Sequence, residues 1–168
     1  MRIERMDASM APKVKALVIE VFGAEGWWNS CLYVAESQPL PVLGRLWKRL
    51  LRLSERPDVW VALDDSTQEI IGTIGLYRKK KDHEEALWVW YFCVAPQARG
   101  AGAGARLLDY VISQAKARDV LYLRLLTSNV PSEESAQRLY ESRGLRIFKT
   151  RSALTYKVLL RELDLRGD

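Results

Sequence analysis

Cysteine and histidine are scarce in this chain of 168 residues, which has two cysteines and one histidine. Cys31 and Cys93 are too few for a disulfide framework and favour a reducing compartment. A zinc site needs more cysteine and histidine than this, so we expect no metal. Uncharged runs are far shorter than a membrane span, and the N-terminus lacks the apolar segment of a signal peptide. Together these absences predict a cytoplasmic protein without membrane contact.

The composition is otherwise that of an ordinary globular protein, with 48% hydrophobic and 28% charged residues. The length suits one domain, spanning residues 1–168, and neither an internal repeat nor a low-complexity linker is present. The net charge of +5 favours anionic ligands in general. It does not indicate nucleic acid, because the largest basic block is residues 78–81 and no nucleic-acid-binding motif is recognisable.

The most informative stretch is residues 85–108, EALWVWYFCVAPQARGAGAGARLL. An aromatic and β-branched run, Leu87–Val94, favours a strand, and Pro96 ends it. Three glycines on alternate positions follow, at Gly100, Gly102 and Gly104. Apolar residues then recur at the spacing of a helix with one buried face: Leu107, Leu108, Val111, Ile112 and Ala115. The sequence therefore predicts a strand, a glycine-rich turn and a helix in direct succession.

Such a turn before a helix is typical of phosphate-binding sites. Glycine lets the backbone approach a ligand, and the first N–H groups of a helix lack partners at the positive end of its dipole. The lysine-ended P-loop is excluded because no Gly-Lys-Ser/Thr follows, and the dinucleotide pattern G-x-G-x-x-G is not met. A tight turn that binds nothing is the alternative, but it has no use for three glycines and an arginine.

The stretch resembles the acetyl-CoA loop of the GCN5-related N-acetyltransferases (GNAT superfamily), with the pattern Q/R-x-x-G-x-G/A reached through V-x-P-x-x-R-G. The matching residues are Val94, Pro96, Arg99, Gly100, Gly102 and Gly104. The resemblance implies that acetyl-CoA is a co-substrate. It implies binding by the strand end and the loop, namely Phe92, Val94, Arg99, Gly100, Ala101, Gly102, Ala103, Gly104 and Ala105.

A second block of resemblance follows about forty residues later, in Ala136-x-x-Leu139-Tyr140-x-x-x-Gly144-Leu145. It looks like the family's A-x-x-L-Y-x-x-x-G-F, in which the tyrosine is the general acid for the leaving CoA thiolate. The resemblance implies that catalytic role for Tyr140, since a nearby O–H helps a thiolate to leave. An amphipathic helix with one core tyrosine is the alternative reading of this block taken alone.

Two positions depart from the family pattern. The family's asparagine, seven residues before the tyrosine and in contact with the pantetheine arm, is Glu133 here, and Asn129 is the candidate replacement. Many members also place a glutamate on the central strand as a base, whereas residues 88–92 hold no carboxylate. Glu84 and Glu85 lie only at the start of that strand. We assign no base, which leaves water to take the proton of the amine.

Neither of the remaining reactive side chains is assigned a catalytic role. His83 lies in the charged run RKKKDHEE, which is typical of a solvated loop. Cys93 has apolar neighbours, which raise the pKa of a thiol and argue against a nucleophile.

Hydrophobic periodicity and turn residues give the remaining elements. Strands are predicted at residues 2–6, Val59–Leu63, Ile70–Tyr77, Leu121–Thr127 and Ala153–Leu163. Helices are predicted from Pro12 to Gly23, at Leu40–Leu53, and at Ser132–Arg143 with a Ser132 cap and a Gly144 stop. The family fold implied is α/β, with a mixed, mostly antiparallel central sheet flanked by helices (the acyl-CoA N-acyltransferase fold) in the order β-α-α-β-β-β-α-β-α-β-β.

The resemblance implies an N-acetyltransferase that moves the acetyl group of acetyl-CoA to a primary amine by direct attack in a ternary complex. The alternative is a non-catalytic CoA-binding or regulatory module on the same fold, which the missing carboxylate and Glu133 support. The acceptor is a small molecule or a peptide, which the sequence does not distinguish. A homodimer is compatible with the fold, because its edge strands can pair between subunits.

Overall fold

The computed structural model describes residues 1–23, 57–82 and 84–167. Its strands are β1 Arg2–Arg5, β2 Asp58–Leu63, β3 Ile70–Tyr77, β4 Ala86–Val94, β5 Tyr122–Ser128, β6 Arg146–Ser152 and β7 Lys157–Asp164. They form one sheet in the order β1-β2-β3-β4-β5-β7-β6. All neighbouring pairs are antiparallel except β4 and β5, which are parallel. The mixed, mostly antiparallel sheet is confirmed.

Helices α1 (residues 11–23), α2 (Ala103–Lys116) and α3 (Glu134–Ser142) belong to the described part of the chain. The backbone is left-handed at Gly23 (φ 74°), the last described residue of α1, and at Gly144 (φ 79°), where glycine follows α3 as predicted. The predicted helix Leu40–Leu53 lies outside the described residues.

The helices cover opposite faces of the sheet. Successive residues of a strand point to opposite sides, and β2 shows the division. Trp60 and Ala62 pack in one core cluster with Leu107, Leu108 and Val111 of α2 and with Tyr140 of α3. Val59, Val61 and Leu63 pack in the other with Val14, Leu17 and Val18 of α1. One face therefore carries α1, and the other carries α2 and α3.

The parallel strands β4 and β5 pair only at their beginnings. Ala86 pairs with Tyr122, Leu87 with Leu123 and Trp88 with Arg124, and the pairing ends there. The side chain of Arg124 fixes this start through ion pairs with Asp82 (3.0 Å), Glu85 (2.8 Å) and Glu162 (2.6 Å). Past it the strands separate, which leaves a cleft in the middle of the sheet.

A bulge in β4 lies beside this opening. Thr73 of β3 pairs with Cys93 and Gly75 with Trp90, so β4 has one residue more than β3 between the two pairs. Tyr91 within it has a φ of 23°, a strained value for a residue other than glycine. Trp90 and Tyr91 consequently both pack against the α1 cluster although they are adjacent in the chain.

Two predicted boundaries were wrong. The last strand was expected over Ala153–Leu163, but β7 begins at Lys157, because Ala153 donates to the Tyr156 carbonyl (2.9 Å) and closes a turn. Leu154 in that turn is fully exposed, so apolar alternation misplaced the start. The last helix was expected at Ser132–Arg143 with a Ser132 cap. A 3₁₀ turn occupies Pro131–Glu133 instead, α3 begins at Glu134, and no side chain caps either element.

Candidate active site

The glycine-rich turn has an open backbone. Gly100 and Gly102 have φ values of 80° and 82°, which favour glycine, and a Cβ built on either meets nothing within 4 Å. Arg99 Nε donates to the Val94 carbonyl (3.2 Å) and braces the turn against the end of β4. A ligand can therefore lie directly against this backbone.

The first turn of α2 has backbone N–H groups without a partner inside the helix. Its first bond of the helical pattern runs from Arg106 N to the Gly102 carbonyl (3.0 Å). The N–H groups of Ala103, Gly104 and Ala105 precede that bond, and this first turn contains no acidic residue. With the positive end of the helix dipole, they form a site suited to a phosphate.

Gly104 lies where α2, β4 and α3 meet. A Cβ at this position would meet Phe92 Cζ at 3.5 Å, Val94 Cγ2 at 3.6 Å and Leu139 Cδ2 at 3.7 Å. Glycine thus keeps the passage between the end of β4 and α3 wide beside the turn.

The cleft between the separated strands has a volume of about 880 Å³. Nine of the predicted site residues line it: Phe92, Val94, Arg99, Gly100, Gly102, Ala103, Gly104, Ala105 and Tyr140. Ala101 and Asn129 do not. The structure therefore brings the strand end, the turn and the tyrosine together around one space.

Tyr140 is almost fully buried, and its ring centroid lies 6.1 Å from that of Phe92. Burial raises its pKa well above the ordinary value, the charge of Glu133 raises it further, and Arg161 opposes both. The phenol is therefore protonated at neutral pH. Within residues 1–23, 57–82 and 84–167, no side chain or backbone group hydrogen-bonds its hydroxyl, which leaves the O–H for a ligand in the cleft.

Asn129 and Glu133 have different positions at the end of β5. Asn129 Oδ1 accepts from Lys157 N (2.6 Å), and the backbone N–H of Asn129 donates to the Lys157 carbonyl (3.1 Å). These bonds join the end of β5 to the start of β7, and Asn129 itself does not line the cleft. Glu133 lines the cleft, and its Oε2 accepts from Ser128 N (2.8 Å) and from the Thr127 hydroxyl. The contact of Asn129 with the pantetheine arm stays a prediction.

The sequence profile described as the acetyltransferase (GNAT) family matches residues 23–145. The chain belongs to this family. The GNAT assignment confirms the resemblance that the glycine-rich turn and the tyrosine block indicated. No curated protein matches the chain.

Solved GNAT structures share the fold at low sequence identity. A protein from Desulfovibrio desulfuricans described as an acetyltransferase of the GNAT family has a TM-score of 0.75 at 17% identity, with 98% of both chains covered. An aminoglycoside 6'-N-acetyltransferase complexed with coenzyme A has a TM-score of 0.73 at 15% identity, covering 100% of this chain and 99% of its own. The aminoglycoside 6'-N-acetyltransferase from Enterococcus faecium has a TM-score of 0.73 at 14% identity with the same coverage.

A buried arginine in this GNAT domain was missed by the sequence prediction. Arg161 of β7 is 2% exposed and donates to the side chains of Gln137 (2.8 Å) and Glu141 (2.6 Å) and to the Leu145 carbonyl (2.8 Å). Gln137 in turn donates to Thr127 Oγ1 (2.8 Å). Gln137 and Glu141 flank Tyr140 on α3. The only signal in the sequence is a charged residue that directly follows two leucines in the last strand.

In the described part of the chain, the nucleophile and the base that this GNAT site could supply are limited to Cys93 and the carboxylates near the cleft. Cys93 lines the cleft, but burial raises the pKa of its thiol to about 12, so it is not a thiolate near neutrality. Glu133 is the one carboxylate among the described residues that line the cleft, whereas Glu84 and Glu85 do not reach it. His83 lies outside the described residues.

No helix in the described ranges is long and apolar enough to cross a membrane. Those ranges hold no group of three or more His, Cys, Asp or Glu side chains placed to bind a metal ion.

Proposed function

We propose that this GNAT protein transfers the acetyl group of acetyl-CoA to a primary amine by direct attack within a ternary complex. The observation that carries the proposal is that the open first turn of α2 and the Tyr140 side chain line one cleft. The first is suited to the pyrophosphate of CoA. The second is suited to a leaving thiolate, because it is a protonated O–H without a partner among the described residues.

The remaining predicted residues have consistent roles in this proposal. Arg99 and the backbone from Gly100 to Ala105 hold the phosphates. Phe92 and Val94 lie along the pantetheine arm, whose amides can bond to backbone groups that β4 and β5 leave unpaired after Trp88. Ala101 and Asn129 lie outside the cleft lining, and their contribution is the least supported.

The proposed reaction needs no covalent intermediate on the protein. The neutral amine attacks the thioester carbonyl, the C–N bond forms, and the C–S bond then breaks. The sulfur leaves with the proton of the Tyr140 hydroxyl, and water takes the proton that the amine loses. Water then returns one proton to the Tyr140 phenolate, which restores the phenol that its raised pKa favours. Cys93 takes no part, because its raised pKa keeps it a neutral thiol.

The reaction is tested by the release of free thiol from acetyl-CoA with and without a primary amine. We expect one thiol per acetylated amine, no burst in the absence of amine, and unchanged rates in Cys93→Ala. A burst of one thiol per protein without amine would contradict direct transfer. Tight acetyl-CoA binding without amine-dependent release would support the regulatory module, which Glu133 and the lack of a carboxylate on β4 favour.

We further propose that the protein acts in the cytoplasm as one domain spanning residues 1–168. The free thiol of Cys93 supports a reducing compartment, and a sheet built from residues 2 to 164 supports one domain. Pairing of two copies along β6, an edge strand whose seven residues are all exposed, is the proposed route to a homodimer. Sedimentation velocity distinguishes the dimer from the monomer.

A further inference from the structure

The cleft passes through the sheet from one face to the other. Phe92 and Val94 line it and pack with the cluster of α2 and α3. Tyr91 and Cys93 also line it but pack with the cluster of α1. The glycine-rich turn and Tyr140 belong to the α2 and α3 side. A second substrate can therefore reach Tyr140 from the α1 side without crossing the CoA site.

The opening on the α1 side, here called the acceptor mouth, consists of Phe22, Tyr91, Leu126, Tyr156 and Val158. Leu125 packs with the α2 cluster, so its neighbour Leu126 faces the α1 side. Ser128, two residues on, shares the face of Leu126, and Val158 shares it too because it pairs with Ser128. Phe22 packs edge-on against Tyr91, with ring centroids 6.2 Å apart. The mouth is thus bounded by aromatic and aliphatic side chains.

These side chains are unusually exposed for their size. Phe22 is 44% exposed, Leu126 58% and Tyr156 42%, and all three line the cleft. Large apolar side chains that meet around a concave site are typical of a ligand-binding surface. An apolar ligand would remove their exposed apolar surface from water, which favours binding.

Charge at the acceptor mouth does not suit a polycation. None of its five residues is a carboxylate, and Glu20 of α1, whose charge acts on Cys93, is exposed and does not line the cleft. Arg124 lies on the same face of β5 as Leu126, but it already pairs with Asp82, Glu85 and Glu162. Glu133 is held on the other side by Thr127 and Ser128. A ligand with several ammonium groups would thus lose water there without gaining a partner among the side chains that form the acceptor mouth.

We propose that the acceptor is an amine on an apolar body, an alkyl or aromatic group that packs against Phe22, Leu126 and Tyr156. This inference rests on the proposed acetyl transfer and gives it a substrate class. It also accounts for the lack of a base on β4. Apolar surroundings disfavour a charged amine, so binding at the acceptor mouth promotes the neutral form that attacks the thioester.

The test compares kcat/KM for 2-phenylethylamine, spermidine and kanamycin in the full chain. We expect 2-phenylethylamine to be preferred by at least about tenfold, the scale on which apolar pockets discriminate. Phe22→Ala and Tyr156→Ala should raise its KM by about tenfold and leave the Kd of acetyl-CoA unchanged. Phe22→Leu should largely restore the parental KM, because it retains an apolar side chain.

Two exposed apolar residues outside the cleft lining serve as matched controls. Phe148 is 46% exposed, nearly the same as Phe22, and Leu154 lies two residues before Tyr156. Phe148→Ala and Leu154→Ala should leave the KM unchanged. Preference for spermidine or kanamycin, or equal effects in cleft and control variants, would overturn the inference while the acetyl transfer stands. Bound acetyl-CoA with no turnover of any amine would overturn both.

Discussion

Gly104 is the residue at which an added methyl group tests the proposed CoA site most clearly. In the ligand-free protein the methyl makes ordinary contacts of 3.5–3.7 Å with Phe92, Val94 and Leu139. Alanine also favours a helix by roughly 0.5–1 kcal/mol over glycine. Gly104→Ala should therefore keep or raise the Tm of the free protein. It should weaken acetyl-CoA binding in calorimetric titration, because the methyl narrows the passage beside the turn.

Ser113→Ala is the control for this prediction, since Ser113 is an exposed residue farther along α2. It should preserve the Kd of acetyl-CoA. Parental affinity in Gly104→Ala would show that the ligand does not approach this turn.

The burial of Cys93 predicts how stability depends on pH and how slowly its thiol reacts in the native protein. The pKa of its thiol is raised to about 12 by burial, so the folded protein keeps a proton that the unfolded chain loses near pH 9. The contribution of this proton to the free energy of unfolding is fully present below about pH 9. It is lost as the pH rises toward 12, the pKa in the folded protein. In a Cys31→Ser background, iodoacetamide should label Cys93 slowly at pH 8.5 in the native protein and rapidly in urea. Equal rates in both states would mean that the thiol is accessible.

A change at Glu133 distinguishes water from this carboxylate as the group that takes the proton of the amine. If water takes it, log kcat/KM should climb with pH toward the pKa of the acceptor itself. Acceptors of lower pKa should then react better near neutrality. Glu133→Gln should keep this rise, because the carboxylate is bound to Thr127 and Ser128. A plateau that stays fixed when the acceptor is changed, with a loss of at least about tenfold in Glu133→Gln, would identify Glu133 as the base.

Single residues differ in how well the sequence predicts their roles. Gly100, Gly102 and Tyr140 occur within local motifs, so their meeting in one cleft followed from the family pattern. Arg161 and Phe22 lie outside any local motif. Their roles depend on contacts with α3 and β4, which are distant in the chain.

Helix α3 is the element whose position depends most on a buried charge. Arg161→Met removes three hydrogen bonds to α3 and the chain that follows it. Removing one partner of a buried network costs on the order of 3 kcal/mol, and urea unfolding should show a loss of about this size. Arg161→Lys should lose less, because it keeps the charge.

Arg138→Met provides the comparison on the surface of the same helix. Arg138 pairs with Glu134 at 2.5 Å, but both side chains are largely exposed. Such a pair contributes less than about 1 kcal/mol. Equal losses in Arg138→Met and Arg161→Met would contradict the view that Arg161 holds α3 in place.

Most elements in the described ranges were predictable from the sequence, but the short pairing of β4 with β5 was not. β3 matches its predicted range, and Gly144 follows α3 as expected. The sequence of neither strand indicates that β4 and β5 pair only at their beginnings. The length of that pairing depends on the direction that each strand takes relative to the other. β7 was misplaced because Leu154 and Tyr156 continue an apolar alternation that the turn interrupts.

At the scale of the whole molecule, the central opening of the sheet links the fold to the proposed reaction. The separation of β4 from β5 gives one space access from both faces, with the glycine-rich turn and Tyr140 on one side and an apolar mouth on the other. The family motifs predicted the first side. The second is assembled from α1, β5 and the turn before β7, so no local stretch of sequence could indicate its character.

The turnover of Tyr140→Phe, measured as amine-dependent thiol release at saturating acetyl-CoA, shows whether the Tyr140 hydroxyl assists the leaving thiolate. The substitution keeps the ring beside Phe92 and removes only the O–H. We predict that kcat falls by about 10²- to 10⁴-fold, the usual contribution of a general acid. The Tm and the Kd of acetyl-CoA should stay close to the parental values. A parental kcat in Tyr140→Phe would contradict the central claim, because the thiolate would then leave without this hydroxyl.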